Sequence, residues 1–292
     1  MAWQVHQIVF RLRSPLHIGC GKVGNLQRTR PYVTGRVLWG ALTMRLTRDA
    51  ANGHGSATDS QEYLKYGEKV HLSLAYTYFY PATKSGADYQ IAWPWPDEGQ
   101  FRRRFLTSYS GTALSYPQQS AATGMLREVE FITPRTLDKG EPVFLIGYVF
   151  ERDGCELEWR AACKRLQLGG ERGYGWGQVE LIEPIQPVSN DLFDGKATFI
   201  DMGDQPAISL PATESLPGHL LAHTVATNLP AHGEVEPLVG REWRSHNSRN
   251  RYAGQHVEYS SACFAPGGKV IQQADFAVEK LGMWRWLDNL EP

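Results

Sequence analysis

The residues best equipped for recognition chemistry cluster in Leu168-Gly-Gly-Glu-Arg-Gly-Tyr-Gly-Trp-Gly177. Its glycines, Gly169, Gly170, Gly173, Gly175 and Gly177, give the backbone access to left-handed angles and to close approach by another segment. Successive N–H groups in such a loop can cradle phosphates. Arg172 adds a planar cationic fork matched to phosphate. Tyr174 and Trp176 add flat faces on which bases stack. Together these residue types predict the floor of a cleft for single-stranded RNA.

Further basic groups lie elsewhere. Residues 1–50 carry Arg11, Arg13, Lys22, Arg28, Arg30, Arg36, Arg45 and Arg48 against Asp49 alone. The whole chain has a formal net charge of −1 at pH 7, so an electropositive face would be local. A solvated basic surface is the competing reading. Gly19, Gly21, Lys22, Arg28 and Arg30 fall in a polar loop segment. Thr34, as N-cap, with Gly35 and Arg36 opens a helix whose free N–H groups would form an anion site. Close helix packing at Gly35 and Gly40 competes with that role. Arg241-Glu-Trp-Arg-Ser-His-Asn-Ser-Arg-Asn-Arg-Tyr252 interleaves Arg244 and Arg249 with Trp243 and Tyr252, a composition for phosphates and stacked bases or for a charged solvated loop. Between residues 99 and 125 a hydroxyl-rich stretch offers Tyr109, Thr112, Tyr116, Gln119 and Ser120 for base or sugar contacts.

Catalytic chemistry has thinner support. His17 stands at a strand end beside a glycine segment, where it could act as general acid or base or make a structural hydrogen bond. His219 and His223 sit four apart, but a third ligand of evident spacing is missing, so neither a metal nor a cofactor is expected. Cys20, Cys155, Cys163 and Cys263 form no paired metal spacing and no disulfide framework. Gly19-Cys-Gly-Lys-Val-Gly24 has dinucleotide-loop spacing, but Asn25, Gln27 and Pro31 follow where a helix must open. The N-terminus runs into an alternating pattern rather than a signal peptide, and no apolar run would span a membrane. A reducing cytoplasm is the expected setting.

The elements that must hold these residues follow from periodicity. Residues 3–13 alternate as a strand, with Ile8, Phe10 and Leu12 on one face and Gln7, Val9, Arg11 and Arg13 on the other. The second face is expected to meet RNA. Leu38, Ala41, Leu42 and Leu46 form a helical stripe. Residues 51–62 read as a loop, residues 69–80 as a strand, and 91–95 as its partner. Residues 99–125 have no clean period. Residues 126–133 and 141–151 read as strands, joined as a hairpin through Asp138-Lys-Gly140. A helix over 156–166 and a strand over 178–182 flank the glycine loop, and a helix is expected over 219–227. The expected fold is α+β: two tandem ferredoxin-like halves over 1–184, then a β-rich extension over 185–292.

Several of these pieces together resemble the CRISPR-associated RAMP superfamily. They are Pro15-Leu-His-Ile-Gly19, Pro31-Tyr-Val-Thr-Gly35 with Leu38-Trp-Gly-Ala-Leu42, and the Gly169–Gly177 loop. Gly111-Thr-Ala-Leu-Ser and Ala121-Ala-Thr-Gly-Met-Leu-Arg-Glu-Val-Glu-Phe131 are similar to the segment after the thumb in the subunit that caps the 5′ end of the guide RNA in type III effector complexes. The resemblance covers roughly residues 3–184, and residues 185–292 match nothing in it. It implies ferredoxin-like folds, a thumb-like insertion at about 100–125, and a non-catalytic subunit that holds the repeat-derived 5′ tag of the crRNA. It also implies contacts with a large signalling subunit and an adjacent backbone subunit, and only indirect contact with target RNA. A processing endoribonuclease using His17, and a backbone subunit that cleaves target RNA through a loop aspartate, are the rival family roles. The stretch Gly21–Pro31 holds no Asp or Glu for the latter.

Overall fold

A computed structural model describes residues 2–51, 60–116, 120–244 and 256–287. In chain order, β1 (Trp3–Leu12), β2 (Gly19–Val23) and β3 (Leu26–Thr29) precede α1 (Gly35–Ala50) and α2 (Ser60–Ser73). β4 (Leu74–Tyr76), β5 (Tyr80–Ser85), β6 (Asp88–Ile91), α3 (Glu98–Phe105) and β7 (Leu106–Gly111) follow. Then come a short pair, β8 (Leu114–Ser115) and β9 (Ser120–Ala121), and β10 (Arg127–Ile132), β11 (Phe144–Arg152), α4 (Trp159–Cys163) and β12 (Val179–Leu181).

The first sheet runs β12-β1-β11-β5-β6, with β1 antiparallel to both β11 and β12. Helix α1 lies between β1 and β5 in sequence, and α4 between β11 and β12, which is a β-α-β-β-α-β order. Its helical face is built by Ile8, Phe10 and Leu12 packing with Leu38, Leu42 and Leu46 of α1 and with Trp159 of α4. The second sheet, β2-β3-β10-β7, carries only the short α3 ahead of β7. That sheet does not by itself repeat the two-helix order of the first; the fold is α+β and rich in strand.

Beyond residue 185 the described chain builds mainly an eight-stranded sheet, which includes Ala197–Asp201, Pro206–Leu210, Ala274–Val278 and the long hairpin Val235–Glu242 with His256–Phe264. This extension packs on the face of the first sheet that the sequence assigned to RNA. Trp3, Val5, Tyr148 and Phe150 share a buried cluster with Phe199, Ile208, Phe276 and Trp284. The Phe150 and Phe199 rings stack at 5.2 Å, and the Tyr80 hydroxyl donates to the Leu221 carbonyl at 2.7 Å. Gln7 and Arg11 break the apolar pattern of that face locally, but Trp3 and Val5 supply enough apolar surface to bury it.

Other elements also differ from expectation. Residues 60–73 form α2, not a loop and the start of a strand, with Tyr63, Gly67 and Val70 turned inward and Leu72 left exposed. The apparent alternation through Leu72 was a coincidence of helical and strand spacing. β10 and β11 enter different sheets rather than one hairpin. The insertion at 100–125 contains α3 and β7, so half of it is sheet scaffold. The expected helix over 219–227 gives way to strand Gly218–His219 and strand Thr224–Val225.

Candidate nucleic-acid interface

The glycine loop is folded tightly onto the Pro15-Leu-His-Ile segment. The Gly170 N–H donates to the His17 carbonyl at 2.8 Å, and the Gly177 N–H to the Pro15 carbonyl at 2.7 Å. Gly169 and Gly177 both have positive φ; a Cβ on the first would overlap the His17 carbonyl oxygen, and one on the second the Leu168 carbonyl oxygen. Glycine is thus required here by close approach as well as by dihedral angle. The Gln167 side-chain amide closes the other side, donating to the carbonyls of Arg172 at 3.1 Å and Trp176 at 2.8 Å. The His17 side chain is 6% exposed, and its Nδ1 lies 2.7 Å from the Glu130 carbonyl. A carbonyl only accepts, so Nδ1 carries the proton and the ring ties the loop to β10.

With its backbone fixed, the loop sends Glu171, Tyr174 and Trp176 to one concavity and Arg172 to another. On one side an open pocket of about 620 Å³ is lined by Tyr109, Thr112, Arg127, Glu171, Tyr174 and Trp176 among others. Trp176 is held edge-on by Phe131 at 4.9 Å and faces Tyr109 at 6.4 Å. The Arg127 guanidinium lies 5.1 Å from the Tyr174 ring centroid and 3.7 Å from the Glu171 carboxylate. Tyr109 is 64% and Tyr174 71% exposed, so large aromatic faces meet solvent beside a cation. Such a group stacks planar rings and counters phosphate charge. Two segments more than sixty residues apart in sequence thus meet here, as β7 leads into one wall and the glycine loop forms the other.

On the other side lies a cleft of about 800 Å³, lined by His17, Gly19, Gly21, Arg30, Thr34, Arg36, Gly169, Gly170 and Arg172 together with Glu236–Trp243 of the extension. Two of its arginines, Arg30 and Arg36, are already paired. Arg30 is 9% exposed and makes two bonds to Glu236, at 2.5 and 3.2 Å. Arg36 pairs with Glu242 and lies 3.9 Å from Glu258. Glu236 also meets His223 Nε2 at 3.0 Å, while His223 Nδ1 lies 2.8 Å from the Tyr78 hydroxyl. Burial would raise the Glu236 carboxyl, but hydrogen bonds from His223 and Arg30 together outweigh it and hold it at about 2. Burial also lowers His223, keeping it neutral with its proton on Nε2.

The profile of the RAMP superfamily matches residues 9–180. The chain belongs to the RAMP superfamily. The match spans β1 through β12 and includes both walls of the aromatic pocket, whereas the extension lies outside it. Among solved structures, the chain is similar to a chain of a type III-B Cmr-beta complex bound to cognate target RNA, at 11% identity, TM-score 0.36, 61% of this chain and 96% of that one. A second similarity, to a Cmr-beta complex with target RNA and AMPPnP, has 9% identity, TM-score 0.44, and covers 90% of this chain and 85% of that one. No curated protein matches the sequence.

Within this RAMP core, the two concavities take up Tyr109, Thr112, Tyr174 and Trp176 on one side and His17, Gly19, Gly21, Arg30, Thr34, Arg36, Gly169, Gly170 and Arg172 on the other. Lys22 and Arg28 sit on the β2–β3 hairpin and line neither. Gly173 and Gly175 shape the loop crest, and Tyr116 and Ser120 are exposed away from both. Gly35 does begin α1 after Thr34, but a Cβ there would overlap the Leu281 carbonyl oxygen, so the helix start is packed against the extension instead of open to an anion. Thr34 makes no side-chain cap bond. Arg244 pairs with Glu258, while Gln119 and Arg249 lie outside the described residues. Sequence reasoning missed Arg127, although it lies in the Ala121–Phe131 motif, and missed Glu236, Glu242 and Glu258 entirely. Arg127 had one usable signal: it is two residues from Val129 on β10 and so shares a sheet face with it.

His219 and His223 do not form a pair. His219 stacks on Trp95 at 5.7 Å, and His223 belongs to the Glu236 network. Among the described residues no group of three metal-ligating side chains is present, and no helix is long and apolar enough to cross a membrane.

Proposed function

We propose that this RAMP chain is an RNA-binding subunit of a type III CRISPR effector complex and holds the repeat-derived 5′ tag of the crRNA. The observation that carries this reading is the pocket in which Tyr109, Arg127, Tyr174 and Trp176 stand open beside the glycine loop. Single-stranded bases bind by stacking on such faces, and the phosphates between them by guanidinium groups. Arg172 is exposed on the loop crest, next in sequence to Glu171 of the pocket, and extends the path toward the basic cleft. The role is binding rather than catalysis: His17 is buried and occupied with the Glu130 carbonyl, which supports a positioning role. Asp88 sits at the edge strand β6 and lines neither concavity, which argues against it as the loop aspartate of the target-cleaving role. In the assembled particle, which we place in the cytoplasm, Leu114, Tyr116 and Leu126 would face the adjacent large or backbone subunit; all three are exposed and line neither concavity.

The test is binding of labelled guide-precursor RNA with and without the 5′ tag, across a salt series, with a gel for cleavage. Tag-dependent binding of intact RNA, lost in the Tyr174→Ala, Trp176→Ala double variant, is the expected result. Cleavage abolished by His17→Ala would replace this reading with the processing endoribonuclease.

A further inference from the structure

The Val235–Glu242/His256–Phe264 hairpin is the part of the molecule whose chemistry the RNA reading leaves unexplained. It lies outside the RAMP match, yet it supplies the carboxylates that pair with Arg30, Arg36 and Arg244. Glu236 and Glu242 come from its first strand and Glu258 from its second. The hairpin is shaped for this contact. Gly240 has no side chain where a Cβ would overlap the Arg36 guanidinium, so the strand backbone lies directly on that cation. Beneath it the interface is an 800 Å³ cleft rather than a packed core, and Val235, Val257 and Tyr259 of the hairpin are exposed to solvent. Its base is anchored by Cys263 and Phe264, where it pairs with Thr224 and Val225, but over the cleft its apolar anchors are few: Leu238, and Trp243, which packs against Tyr63 at 5.9 Å with its indole N–H buried and unpaired. An unpaired buried donor weakens that anchor.

We propose that this hairpin is an internal competitor for the RNA backbone, its glutamates occupying phosphate positions on Arg30 and Arg36 and yielding them when guide RNA binds. The inference rests on the RNA reading given above. The exchange is balanced in charge: each phosphate replaces a carboxylate on a guanidinium that is already desolvated, so no buried cation is left unpaired. Arginine donates bidentately to either partner. A small anion offers one such exchange, while a polynucleotide entering from the aromatic pocket along Arg172 offers several in succession. The closed hairpin therefore sets a threshold that only an RNA already held by the pocket passes, and apparent affinity is reduced by the closed fraction.

Two measurements on the full chain test this. Hydrogen exchange of residues 235–242 and 256–264 is followed with and without tag-bearing guide RNA, and affinity at fixed salt is compared between wild type and the Glu242→Gln, Glu258→Gln variant. Expected are increased exchange in the hairpin on RNA binding and about tenfold tighter binding by the variant. Unchanged or reduced exchange with RNA bound overturns the proposal even if the variant folds poorly. So does unchanged or weaker binding by a folded variant. If the hairpin stays closed while Tyr174→Ala, Trp176→Ala still abolishes binding, the competitor falls and the RNA reading stands. If no protein form binds the RNA, both fall together.

Discussion

The aromatic pocket and the basic cleft share the glycine loop as a wall, but they differ in almost every physical respect. The pocket is open, walled by exposed rings, and made wholly within the RAMP match. The cleft is richer in arginine, yet Arg30 and Arg36 are committed to carboxylates from outside that match. Positive charge in a sequence therefore marked the less available surface here. Local charge predicts a field only when no distant segment returns to neutralise it.

The sharpest way to break this contrast is Arg30→Met. It leaves Glu236 and its bonded His223 without their cation and should cost about 3–5 kcal/mol of stability, read by thermal unfolding. If stability is unchanged, the cleft network does not hold the extension to the core. Next comes the pocket. Tyr174→Ala with Trp176→Ala should weaken tag-RNA binding by roughly 1–3 kcal/mol for each base that stacks, with a smaller loss of stability, since Tyr174 is exposed and half-buried Trp176 gives up its contact with Phe131. A loss of fold in place of affinity would make these rings structural.

Acid should separate the two regions further. Glu236 is held at about 2 against an ordinary value of 4.5, so its stabilisation is fully present above 4.5 and is lost as the pH falls through that window toward 2. His223 is lowered from 6.5, so the unfolded chain takes up a proton that the folded one refuses, and stability already declines as the pH drops below 6.5. Thermal unfolding at pH 7 and pH 5 should show the lower value at pH 5, and His223→Gln should flatten that difference. The smallest effect separates the glycines. Gly173 has no neighbour within 4 Å and no positive φ, so Gly173→Ala should stay within about 0.5 kcal/mol of wild type. Gly177→Ala, with its forced overlap on Leu168, should disrupt the loop and RNA binding with it.

Much was legible from local pattern. β1, α1, β10, β11 and β12 follow their apolar periodicities, and Gly169–Gly177 stood out by composition alone. The rejection of a dinucleotide loop at Gly19–Gly24 agrees with the β2–β3 hairpin found there. Helix α2 was misread because Val70, Leu72, Leu74 and Tyr76 alternate across a helix-to-strand junction at Ser73–Leu74. The strands at 126–133 and 141–151 were found in sequence, but nothing local says that they join different sheets.

By itself, then, the sequence determined which residues can stack, pair with phosphate or turn a tight loop, because those capacities are properties of side chains and of glycine's missing Cβ. It also determined the strand and helix faces of the RAMP core, since burial on one face writes a period of two or 3.6 into the chain. Tertiary structure decided which capacities remain available. Tyr109 and Trp176 become one pocket, and Arg30 and Glu236, 206 positions apart, become one ion pair, only when the sheets assemble. No periodicity encodes such encounters, because they depend on the packing of distant elements and on charge meeting charge in a shared, partly desolvated space.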